Sequence, residues 1–96
     1  MTSRERASLR GQAQTLSPVV YVGKNGISEA VVNALEQALA CHELVKVRFE
    51  SSKDQVKPLC LELEKLTQST LVATTGFTGV FFLPNPDPSE RRVFAD

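Results

Sequence analysis

The sequence predicts an α/β (α+β) fold: three helices on a four-stranded mixed sheet, in the order α-β-α-β-α-β-β. Three observations predict it. Segments with helical periodicity alternate with β-branched or alternating segments, so strand-helix-strand units recur and favour a mixed sheet with right-handed crossovers. Two β-rich runs at the end are joined by Gly76-Phe77-Thr78, the signature of a tight hairpin. At 96 residues, 42% hydrophobic and 23% charged, the composition suits one folded domain near the lower size limit for an unstapled core.

The first helix is expected from Ser3 to Gln14, with Ser3 as N-cap and Ala7, Leu9, Ala13 and Leu16 as its apolar supply. Its stripe is thin, so it should lie on a larger element. Ser17-Pro18 ends it, and Val19, Val20, Tyr21 and Val22 read as a short buried strand. After Gly26, Ser28 caps a second helix running to about Cys41. Ile27 and Val32 hold the spacing of a hydrophobic staple, and Val32, Leu35 and Leu39 form the stripe.

Leu44 to Glu50 alternates, with Val45, Val47 and Phe49 on one face and Lys46, Arg48 and Glu50 on the other. That is a strand with one buried face. The third helix carries Val56, Leu59, Leu63 and Leu66, with Ser52 or Asp54 as cap candidates. Pro58 suits only the first turn of a helix, so the start is expected near Val56. Leu71–Thr75 and Gly79–Leu83 are the last two strands. The domain is expected over residues 1–83, followed by a proline-rich extended tail over 84–96.

Catalysis finds little support. The chain has one histidine, His42, and lacks a GxSxG elbow, a P-loop, an HExxH motif and a full GxGxxG. Glu62 and Glu64, two apart, diverge on a helix. Cys41 and Cys60 are isolated and fit neither a disulfide framework nor a zinc site, so they read as buried or half-buried thiols. No enzyme activity, metal or cofactor is therefore expected. No apolar run approaches the ~20 residues that cross a bilayer, and residues 1–11 lack the apolar core of a signal peptide, so a cytoplasmic location without membrane contact is the expectation.

Eleven basic and eleven acidic residues cancel, which argues against a strongly basic nucleic-acid binder. Their distribution is uneven. Arg4, Arg6, Arg10 and Lys24 face only Glu5 through Gly26, which leaves a positive edge on a neutral molecule.

The loop Gly23-Lys24-Asn25-Gly26 carries the most chemistry. Asn-Gly between two strands signals a hairpin, but the segment after Gly26 has helical periodicity, so the loop leads into a helix. Helix-start amides lack intrahelical acceptors and sit at the positive end of the dipole, which suits a phosphate. Glycines keep side chains out of the way of a sugar-phosphate backbone, and Lys24 adds a mobile cation. This is the physical content of the GxxG loop in KH-type RNA-binding domains. The structural alternative is a plain turn that needs glycine for its geometry.

The stretch LRGQAQTLSPVVYVGKNGISEAVVNALEQALACHELVKVRF resembles the CRM domain, the chloroplast RNA splicing and ribosome maturation module, in particular its stand-alone bacterial form, the YhbY family. LSPVVYVGKNGIS and HELVKVRF carry most of the likeness. The resemblance implies a KH-like fold similar to the C-terminal domain of translation initiation factor three. It also implies binding of RNA, as ribosomal RNA in precursors of the large subunit. Backbone-clamping roles fall on Gly23, Lys24, Asn25 and Gly26, with Arg4, Arg6 and Arg10 as a supporting phosphate surface. Phe82-Leu83 stands where relatives end the last strand with a tyrosine-arginine pair, and Phe77 where a basic residue is often found. Both departures point to binding concentrated at the loop.

Plain structural roles compete for several of these residues. Arg4, Arg6 and Arg10 read equally well as the solvated surface of a helix, Lys46 and Arg48 read as the wet face of a strand, and Phe77, Phe81 and Phe82 read as core or hairpin packing. The alternative function is a protein-interaction module that contacts a ribosomal protein or assembly factor through an apolar site around Phe81, Phe82 and the tail.

Overall fold

A computed structural model of the chain describes residues 1–91 and 93. Its elements are α1 (Ser3–Ala13), β1 (Val20–Val22), α2 (Glu29–His42), β2 (Leu44–Phe49), α3 (Lys53–Thr67), β3 (Thr70–Thr75) and β4 (Thr78–Phe82), then a 3-10 turn at Pro88–Glu90. The strands form one mixed sheet in the spatial order β1-β2-β4-β3. β1 pairs parallel with β2, and this pairing needs the long crossover that α2 supplies. β4 pairs antiparallel with β2 on one side and with β3 on the other.

Alternation along β2 and β4 divides the core between the two faces of the sheet. Val45, Val47, Phe49 and Phe81 join Val20, Val22, Leu35, Leu39, Val56, Cys60 and Leu63 under α2 and α3. Leu44, Val80 and Phe82 instead meet Leu9, Ala13 and Val72 under α1. Each large apolar side chain buried this way contributes roughly 1.5–3 kcal/mol.

The helix starts differ from expectation in two places. Thr2, not Ser3, is the N-cap of α1: its hydroxyl accepts from the Glu5 amide at 3.1 Å while the Glu5 carboxylate accepts from the Thr2 amide at 3.0 Å. That is a reciprocal capping box, and the hydrogen bonds from Thr2 hold the Glu5 carboxyl below the usual carboxylate range. α3 begins at Lys53 rather than Val56, which leaves Pro58 inside the helix. Proline there removes the donor for the Asp54 carbonyl. Both residues are exposed, so water can serve that oxygen.

Other expectations shift with the packing. β1 is an edge strand with alternating burial rather than a buried run: Val20 and Val22 are inside, while Tyr21 is 64% and Val19 53% exposed. Leu66 is exposed and Cys60 takes its place in the core, where burial pushes the thiol up to about 12. Cys41, expected at least half-buried, is exposed at the end of α2. The hairpin turn is tighter than expected, two residues, with Gly76 at φ 58 in its first position as a type II′ turn requires.

Of the tail expected over 84–96, residues 92 and 94–96 lie outside the described residues. The described part is tied down by Glu43, a buried residue at φ 63 between α2 and β2. Its carbonyl accepts from the Leu83 amide at 2.9 Å, and its carboxylate accepts from the amides of Asn85 at 2.5 Å and Val93 at 3.0 Å.

Candidate nucleic-acid interface

The C-terminal ends of β1 and β2 and the β3–β4 hairpin lie at one end of the sheet, because Val22 pairs with Phe49 and Arg48 with Thr78. The glycine loop follows Val22 at this end. Its Gly26 amide donates to the Gly23 carbonyl at 3.0 Å, which makes residues 23–26 a closed turn. Gly26 sits at φ +79, a conformation that disfavours side chains. A Cβ at either glycine would meet nothing within 4 Å, so the turn is open to whatever approaches it.

Lys24 and Asn25 are exposed at the corners of the turn, with no hydrogen-bond or ion-pair partner among the described residues. The backbone amides of Lys24, Asn25, Ile27 and Ser28 also lack a protein acceptor among the described residues. α2 starts two residues beyond the loop rather than at it. There the Ser28 hydroxyl takes the Val31 amide at 3.3 Å and the Ser28 carbonyl takes the Val32 amide at 3.0 Å. The amides of Glu29 and Ala30 also have no acceptor among the described residues. A run of free donors thus extends from the turn into the helix start, a suitable cradle for an anion. Glu29 in the first turn of α2 opposes this, since its own carboxylate favours the helix N-terminus.

The same end of the sheet carries the hairpin tip, where the Lys53 ammonium lies 5.6 Å from the centre of the Phe77 ring. Phe77 is partly exposed, whereas Phe81 and Phe82 are core. Both of the latter follow their packing reading, so the two rings themselves offer little contact surface.

The first helix stands apart from the loop. Leu9 and Ala13 pack on Leu44, Val72, Val80 and Phe82, so α1 crosses the sheet toward the end away from the glycines. Its arginines are not equivalent. Arg6 donates to the Leu71 carbonyl at 2.7 Å and the Val72 carbonyl at 2.8 Å, a fastening between α1 and β3. Arg4 and Arg10 are exposed without a partner among the described residues. The predicted site therefore divides in two, a loop at one end of the sheet and a basic helix at the other. Between them lie Tyr21, which sequence reasoning placed in a buried strand, and Lys46 and Arg48, which it read as the wet face of another; only the strand register reveals them as neighbours.

The profile of the CRS1/YhbY (CRM) domain matches residues 1–82. The chain belongs to this family. A Haemophilus influenzae protein named as RNA-binding is 32% identical over 88 residues, 91% of this chain and 89% of that protein. A Pseudomonas aeruginosa protein, named as a candidate RNA-binding protein, is 32% identical over 92 residues, 95% of this chain and 88% of its own length. The solution structure of SAV1595 from Staphylococcus aureus, described as a candidate RNA-binding protein, superposes with a TM-score of 0.83 at 28% identity. It covers 97% of this chain and 98% of its own. These relatives carry the names of binding proteins rather than enzymes, and the three-helix, four-stranded mixed sheet is the fold shared with SAV1595.

Proposed function

We propose that this CRM-family chain is a non-enzymatic RNA-binding protein that acts in the cytoplasm on ribosomal RNA within precursors of the large subunit, gripping it at the glycine loop. One observation carries the site: a turn with unobstructed glycines presents, beside a helix start, amides and a lysine that have no partner among the described residues. The names of the relatives support RNA as the ligand, and the resemblance to stand-alone YhbY proteins supports the ribosomal setting. Backbone amides and one ammonium read phosphate rather than base edges, so recognition here is mainly of backbone and shape. Of the apolar site expected for a protein-interaction module, Phe81 and Phe82 are buried, which leaves that reading to the tail, where Leu83 is exposed. Crosslinking in cells with sequencing of the attached RNA tests the proposal. Contacts concentrated in unprocessed large-subunit RNA support it, and contacts spread evenly over cellular RNA contradict it.

A further inference from the structure

The sheet face under α1 is only partly covered. α1 shields the half around Leu44, Val80 and Phe82, and the half nearer the glycine loop stays open. On that open half Tyr21 stands opposite Arg48 in the parallel β1–β2 register, two residues before Gly23. Lys46 is on the same face, one strand repeat further toward α1. Neither cation has a carboxylate within ion-pair distance among the described residues. Tyr21 is 64% exposed, and its hydroxyl donates to the Pro18 carbonyl at 3.3 Å. Beyond Lys46 the face ends in a cavity of about 430 Å³, with Leu16, Val19 and His42 in its wall, where Leu16 and Val19 are also exposed.

We propose that this open half-sheet is a second RNA subsite, which takes single-stranded RNA leaving the glycine loop by stacking a base on Tyr21 while Arg48 and Lys46 neutralise its phosphates. The inference rests on the RNA reading given above. An exposed aromatic ring flanked by unpaired cations is the arrangement that holds single strands without sequence preference. A protein partner would have to desolvate two unpaired cations to reach the ring, whereas a phosphate chain neutralises them. The path also explains how the loop and the basic helix, separated by the fold, can serve one ligand.

Tyr21 is the only tyrosine in a chain without tryptophan, so its emission reports on this subsite alone. Wild type is titrated with a ten-nucleotide single-stranded RNA and with an abasic ribose-phosphate chain of the same length. The expected result is quenching by the RNA and none by the abasic chain. Tyr21→Ala should weaken RNA binding roughly five- to a hundredfold. Tyr21→Phe, which keeps the ring, should largely preserve affinity, and Arg48→Gln should lower the salt slope by about 0.7. Lys24→Asp/Asn25→Asp runs in parallel. If RNA binds in a loop-dependent way but leaves Tyr21 emission and Tyr21→Ala affinity unchanged, the subsite is overturned and the loop reading stands. If wild type binds no RNA, both fall.

Discussion

The Gly26 amide donates to the Gly23 carbonyl at 3.0 Å, and this bond fixes Lys24 and Asn25 as the exposed corners of a turn. One loop amide is satisfied internally, and its neighbours have no acceptor among the described residues. The two glycines then differ in what they are for. Gly26 needs its positive φ, whereas Gly23 has ordinary backbone and empty space around it.

Gly26→Ala is therefore expected to cost about 1–2 kcal/mol of stability through backbone strain. Gly23→Ala should stay within about 0.5 kcal/mol of wild type yet weaken RNA binding severalfold, because the new methyl group meets the ligand rather than the protein. Chemical denaturation and fluorescence anisotropy on the same samples separate the two effects.

Glu29 sets stability against binding. Its carboxylate favours the α2 N-terminus and repels a phosphate there, so Glu29→Gln should lower stability by about 0.3–1 kcal/mol. The same change should raise RNA affinity about two- to fivefold. Both shifts should shrink at high salt.

The arginines of α1 separate in the same way. Arg6→Ala removes two hydrogen bonds to β3 and should cost about 1–2 kcal/mol. Arg4→Ala and Arg10→Ala should leave the melting temperature nearly unchanged. If three or four cations meet phosphate, the slope of log affinity against log salt is about −2 to −3, and each of these two variants should reduce it by about 0.7.

Gly79 tests the core beneath the site. A Cβ there would lie 2.5 Å from the Cys60 sulfur and 3.3 Å from the Phe81 ring. Gly79→Ala should cost about 1–3 kcal/mol by overpacking, and adding Cys60→Ala should recover part of it. Thiol labelling gives an independent check: Cys41 should react in the native protein and Cys60 only after unfolding.

The element order was legible because periodicity is local: Leu35 and Leu39 mark α2, and alternation from Val45 to Phe49 marks β2. The cap of α1 was misplaced by one residue, because Ser3 offers a good hydroxyl but only Thr2 stands three residues before Glu5, whose carboxylate closes the box. Pro58 misplaced the start of α3, since propensity could not weigh the tertiary packing of Val56 and Cys60 that holds the first turns in place. The loop was readable as a site because its chemistry lies within four consecutive residues. Tyr21 and Arg48 were not, because their adjacency depends on strand pairing across 27 positions that no local pattern encodes. The fastening role of Arg6 was hidden for a similar reason: its partners at Leu71 and Val72 are 65 and 66 residues away.

The most direct measurement is the affinity of Lys24→Asp/Asn25→Asp for single-stranded RNA, with circular dichroism and melting temperature as controls. Both side chains are exposed and unpartnered among the described residues, so the fold should be unchanged. Loss of RNA binding by a protein that melts like wild type is the predicted result. Undiminished binding would contradict the account, because the turn could then hold no nucleotide.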